Sequence, residues 1–172
     1  MNIFFMGTPE FAVPTLDILN KKYNVIGVFT QPPRPSGRGM KKIKSSIQEY
    51  SEKNKLNFYT PNNLKNDETL KLLKSLNPDL IVVVAYGLLI PEVILKIPSY
   101  GCINGHASLL PKWRGAAPIQ RAIEAGDIKT GCTSMLMEKG LDTGPMIHKK
   151  EILIKMDNDC LLYTSPSPRD NR

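Results

Sequence analysis

Histidine and cysteine are both scarce in this chain: two histidines and three cysteines in 172 residues. Cys102, Cys132 and Cys160 are odd in number and far apart, so neither a zinc finger nor a disulfide framework can be assembled from them. No metal is expected, and a reduced, cytoplasmic setting is. Long apolar runs are missing as well. The strongest, Leu80 to Pro91, is broken by Tyr86 and Gly87 and falls short of a bilayer span. Met1-Asn2-Ile3-Phe4-Phe5-Met6 has no basic flank and is soon followed by Glu10, so it reads as a first strand and not as a secretory leader. The loop Met6-Gly7-Thr8-Pro9 lacks the second and third glycines of a dinucleotide fingerprint. Glu10 stands where a pyrophosphate would sit on a helix end, which argues against a nicotinamide cofactor.

Apolar residues make up 41% of the chain and charged residues 23%, which suits one folded domain with a proper core and argues against disorder. The formal net charge is +7 and is unevenly spread. Between Gln31 and Lys55, seven basic residues (Arg34, Arg38, Lys41, Lys42, Lys44, Lys53, Lys55) face only Glu49 and Glu52. Such a cluster is either a phosphate-binding patch or a solvated loop and helix face, and charge alone does not choose between them.

Hydrophobic periodicity predicts strands at Asn2–Met6, Tyr23–Thr30, Asn57–Thr60, Leu80–Ala85, Cys102–Ala107, Thr130–Met137 and Met146–Ile154. Helices are expected after Thr8, which can act as an N-cap before Pro9, and at Ile43–Lys53, Asp67–Leu76, Pro91–Lys96 and Ala117–Ala125. The Pro/Gly-rich stretch Gln31–Lys42 is expected to be irregular. Alternation of strand and helix through residue 125 predicts a doubly wound, mostly parallel α/β sheet, with the two late strands added antiparallel. After Asp159, Pro166 and Pro168 interrupt any regular element, so residues 160–172 read as a disordered or foreign tail.

The most informative stretch is Gly101-Cys102-Ile103-Asn104-Gly105-His106-Ala107-Ser108-Leu109-Leu110-Pro111. Asn104 and His106 are two residues apart on a strand, so they share a face, and they stand at the strand's carboxyl end, where open α/β sheets bind ligands. A hydrogen-bond donor beside a group that titrates near neutrality suits acyl or formyl transfer. A lone histidine in an apolar strand is more often a satisfied core residue. Asp142, between Gly140 and Gly144, is by itself an ordinary turn former. Brought against His106, its carboxylate would fix the ring's tautomer. Trp113-Arg114-Gly115-Ala116-Ala117-Pro118 is either a loop anchored by one aromatic or the rim of a pocket for a planar ligand.

Three motifs carry a resemblance: Phe5-Met6-Gly7-Thr8-Pro9-Glu10-Phe11-Ala12-Val13-Pro14, the stretch from Ser108 through Trp113-Arg114-Gly115-Ala116-Ala117-Pro118-Ile119-Gln120, and Gly140-Leu141-Asp142-Thr143-Gly144. With them the chain resembles the folate-dependent formyltransferases, and among these the methionyl-tRNA formyltransferases, from its start to about residue 157. The resemblance implies a Rossmann-like fold and a one-carbon transferase. It implies formyl transfer from 10-formyltetrahydrofolate to the amino group of initiator methionyl-tRNA, in translation initiation. It implies Asn104, His106 and Asp142 as the catalytic trio and Ser108, Leu109, Leu110 and Pro111 as a folate-binding segment. Arg34, Arg38, Lys41 and Lys42 would meet the tRNA acceptor arm. A cytoplasmic monomer, with no membrane and no metal involved, completes the expectation. On this view residues 1–159 are a catalytic domain incomplete at its C-terminal side, without the β-barrel domain that such enzymes carry. The competing readings are transfer to a small amine or amino-sugar nucleotide, and a fragment that binds tRNA without catalysis.

Overall fold

Ile3, Phe4, Phe5 and Met6 have no exposed surface. A strand buried on both faces belongs in the interior of a sheet, and β1 (Asn2–Gly7) is an interior strand. The computed structural model describes residues 1–36 and 41–154. A 3-10 turn, Glu10–Ala12, leads into α1 (Val13–Lys22), followed by β2 (Asn24–Phe29), β3 (Arg34–Ser36) and β4 (Lys41–Ile43). Then come α2 (Ser46–Lys53), β5 (Phe58–Tyr59), α3 (Asp67–Leu76), β6 (Leu80–Val84) and α4 (Glu92–Leu95). β7 (Cys102–His106), α5 (Pro118–Glu124), β8 (Lys129–Leu136) and β9 (Met146–Leu153) follow.

The main sheet runs β5-β2-β1-β6-β7-β8-β9. Its pairs are parallel from β5 through β7 and antiparallel from β7 to β9. This is the α/β arrangement expected from the alternation of elements, late antiparallel strands included. Adjacent residues of β1 serve opposite faces. Phe4 and Met6 join Phe29, Leu73, Ile81, Val83 and Ile94 in one core, while Phe5 joins Leu16, Val28, Ile47 and Val84 in the other. Local chemistry starts the helices. Ser45 Oγ accepts from the Gln48 N–H at 3.0 Å before α2, and Asn66 Oδ1 accepts from the Thr69 N–H at 3.0 Å before α3. Asn77 ends α3 in the left-handed conformation, φ 46°.

Two local expectations fail. Thr8 does not cap a helix: its hydroxyl donates to the Tyr86 carbonyl at 2.8 Å, tying the loop after β1 to the loop after β6. The helix starts later, with Pro14 in its first turn. The Gln31–Lys42 stretch is not wholly irregular either. β3 and β4 pair antiparallel as a separate ribbon, with Pro35 opposite Lys42. Proline is tolerated in a strand that has no neighbour on one side. Residues 37–40, Arg38 among them, lie outside the described residues, as does the tail from residue 155. Among the described residues, no helix is long and apolar enough to cross a membrane.

Leu73 is fully buried and Leu89 is 81% exposed. Leu73→Ala is expected to lower unfolding free energy by about 2–5 kcal/mol, and Leu89→Ala by less than about 0.5 kcal/mol, in denaturant titrations. Burial pushes the Cys102 thiol up to about 12. Alkylation at mildly alkaline pH is therefore expected to spare Cys102 in the folded protein and modify it in denaturant, read by peptide mass.

Candidate active site

β7 runs parallel to β6, with Asn104 beside Val83, and antiparallel to β8, with His106 opposite Thr133. Its carboxyl end therefore opens at the same edge as that of β6. The chain then turns sharply. Ser108 Oγ donates to the Lys112 carbonyl at 2.7 Å. Thr133 Oγ1 donates to the Ser108 carbonyl at 2.7 Å and accepts from the Leu110 N–H at 3.1 Å, so the turn is bolted to β8. Lys149 Nζ donates to the Leu110 carbonyl from β9.

The β8–β9 connection supplies the third group. Gly144 allows its close return: a Cβ there would lie 1.9 Å from the Leu136 carbonyl oxygen, a backbone atom that cannot move aside. Asp142 sits on this connection in the left-handed conformation, φ 51°. Its Oδ1 accepts from Asn104 Nδ2 at 3.2 Å, and its Oδ2 accepts from the Gly115 N–H at 2.9 Å. The same Oδ2 faces His106 Nδ1 at 3.6 Å. Gly115, at φ 85°, holds its N–H toward the carboxylate in a backbone conformation that side chains rarely adopt.

The other ring nitrogen, His106 Nε2, donates to the Trp113 carbonyl at 2.8 Å. A carbonyl only accepts, so Nε2 carries an N–H. Asn104 Nδ2 has two hydrogens, and the bond to Asp142 uses one of them.

These groups open on a cavity of about 550 Å³. Its apolar wall is Val83, the segment Ala85–Ile90, Met137 and Leu141, and Gly115–Gln120 also line it. An apolar hollow of this size with a few converging polar groups suits a drug-sized ligand. Burial raises the Tyr86 phenol in that wall above the ordinary tyrosine range. Among the described residues, no cluster of His, Cys, Asp and Glu is arranged to hold a metal ion.

Asn104, His106 and Asp142, singled out from the sequence, are thus brought together. Ser108, Leu109, Leu110 and Pro111 stand outside the cavity lining, and Ser108 and Leu110 are buried. Arg34 Nη2 donates to Gln31 Oε1 at 2.7 Å, and Gln31 Nε2 donates to the Tyr86 carbonyl at 3.3 Å, which links the basic ribbon to the cavity wall. Lys42 is exposed, and Lys41 lies on β4 beside it. Sequence reasoning missed the Ala85–Ile90 wall, although Leu88-Leu89-Ile90 after a strand was a signal for it. It also missed Gln31, for which the sequence holds no comparable sign.

The chain is 55% identical over 150 residues to a methionyl-tRNA formyltransferase of Pseudomonas entomophila, covering 87% of this chain and 48% of that protein. A methionyl-tRNA formyltransferase of Alkaliphilus metalliredigens is 53% identical over 158 residues, covering 91% and 50% respectively. The chain therefore spans about half the length of the curated relatives it matches. Among solved structures, a phosphoribosylglycinamide formyltransferase from Bacillus halodurans superposes with a TM-score of 0.77 at 19% identity, covering 95% of this chain and 85% of that one. A formyltetrahydrofolate deformylase from Pseudomonas syringae gives 0.71 at 18%, covering 92% and 52%. The fold is shared with both. The family model described as formyl transferase matches residues 1–164. With that match over most of its length, the chain belongs to the formyl transferase family.

Proposed function

We propose that this chain carries the catalytic centre of a methionyl-tRNA formyltransferase, moving a formyl group from 10-formyltetrahydrofolate to the amino group of methionine on initiator tRNA in the cytoplasm. One observation carries the proposal: an amide, an imidazole and a shared carboxylate meet in the lining of an apolar cavity. The apolar wall of Ala85–Ile90 suits the flat pterin of the donor, which supplies the formyl carbon. Ser108–Pro111 then serve the folate site by holding the end of β7 and the Trp113–Gly115 backbone in place behind it.

The chemistry follows from the donors present. The amine nitrogen attacks the formyl carbon, and negative charge gathers on the formyl oxygen. The second N–H of Asn104, not given to Asp142, stabilises that oxygen, and a protonated His106 adds its charge beside it. One such donor is typically worth 10²–10³ in rate, about 3–4 kcal/mol. As the new carbon–nitrogen bond forms and the old one breaks, the amine's proton passes to the Asp142 carboxylate and on to the departing nitrogen. The basic ribbon would meet the tRNA phosphates, a reading supported by its charge and by the bonds through Gln31 that tie Arg34 to the cavity wall.

The deciding experiment measures single-turnover formyl transfer to methionyl-tRNA, a free small amine and an amino-sugar nucleotide. Transfer to methionyl-tRNA alone supports the proposal, and preference for a small acceptor overturns it. His106→Ala is expected to abolish transfer while tRNA binding is kept. Loss of nothing measurable would leave a binding module only. Asn104→Ala is expected to slow transfer by about 10² or more. Replacing Arg34 and Lys42 together with alanine is expected to weaken tRNA binding and reduce its log–log salt slope by about two, in titrations from low to physiological salt.

A further inference from the structure

Asp127 has no role in the mechanism above, yet its carboxylate is bonded to the turn that carries Trp113. It follows α5, and its N–H donates to the Ala122 carbonyl at 2.9 Å, which fixes its own backbone. Its carboxylate grips the turn after Pro111 at two points. Oδ1 accepts from Lys112 Nζ, and Oδ2 accepts from Trp113 Nε1 at 2.7 Å. These two bonds, Lys112 first, hold the Asp127 carboxyl below the usual carboxylate range. Lys112 Nζ also lies 5.2 Å from the Trp113 ring centre, so the ammonium covers the indole. The three side chains line a small hollow of about 240 Å³ and do not line the larger cavity.

Trp113 needs such a grip. Its φ is 60°, a left-handed conformation that a bulky side chain adopts only where its surroundings hold it there. In that conformation its carbonyl meets His106 Nε2 at 2.8 Å. That bond orients the ring and leaves Nδ1 directed at Asp142. We infer that Asp127 is a positioning residue: by clamping the Trp113 indole it aims the Trp113 carbonyl at His106 and so sets the orientation of the imidazole. The inference rests on the reading of His106 as a reacting group. It reaches beyond it by making the order of that ring depend on a carboxylate outside the cavity.

Three variants of the full chain test this: Asp127→Ala, Asp127→Asn and Trp113→Phe. The first readout is the imidazole N–H spectrum, simple to assign because the chain has two histidines. The His106 Nε2–H resonance is expected to be protected from solvent exchange in the parent and lost in Asp127→Ala and in Trp113→Phe. The second is single-turnover formyl transfer at saturating donor. Asp127→Ala is expected to slow it by about 10-fold or more with donor affinity unchanged, as misplacing a reacting group does. Asp127→Asn keeps an oxygen for the indole N–H and is expected to recover most of the rate. The double variant Asp127→Ala/Trp113→Phe should be no slower than the slower single, since both remove one interaction. An unchanged His106 resonance in Asp127→Ala, or losses that multiply in the double variant, overturns the inference. If Asp127→Ala does not fold, Trp113→Phe and Asp127→Asn decide by the same spectrum. A parent without transfer activity sinks the proposed function instead, and the spectrum still decides the clamp.

Discussion

The carboxylate of Asp142 holds this site together. Its side chain is about 10% exposed, and a charge that is nearly buried must be paired or hydrogen-bonded. It receives the Asn104 amide and the Gly115 N–H and faces the His106 ring, so three separate segments are registered by one group. Hydrogen bonds to a charged acceptor contribute about 1.5–3 kcal/mol each. The left-handed backbone at Asp142 costs about 1–2 kcal/mol, so the bonds outweigh it. Removing any one partner leaves the others less well placed, which makes the trio a unit.

The rest of the fold positions that unit. Parallel strands from β5 to β7 bring their carboxyl ends to one edge, and the turn to antiparallel pairing at β8 lets the β8–β9 connection fold back over β7. Left-handed residues gather there: Trp113, Gly115, Ala117 and Asp142 all have positive φ. Strain of this kind clusters at functional sites because neighbouring contacts over-determine the backbone. Here Gly144, Thr133 and Asp127 are such contacts, each fixing one turn from outside the cavity.

How much of this was legible depends on the range of the interaction. Asn104 and His106 share a face by the two-residue period of a strand, so their juxtaposition follows from spacing alone. Asp67–Leu76 is a helix over the residues expected, because Leu70, Leu72, Leu73 and Leu76 mark its inner face. Asp142 stood out by its glycines and by family resemblance, but its arrival at Asn104, 38 residues away, needs the hairpin to form. The Thr8 cap was misread because its hydroxyl serves a carbonyl 78 residues on. The ribbon at Arg34–Ser36 was missed because proline content argued against pairing. Gln31 and Asp127 left no trace, since a side-chain contact between loops has no period and no motif.

Asp142→Asn is the most direct test of the central claim, because the amide has the same shape and lacks the charge and one acceptor oxygen. The account predicts an unchanged melting temperature within a few degrees and unchanged donor affinity. It also predicts a fall in single-turnover formyl transfer of about 10²–10⁴, the scale seen when a carboxylate that orients a catalytic histidine becomes an amide. A variant that transfers formyl at close to the parent rate would contradict it, and Asp142 would then be no more than a turn residue beside the cavity.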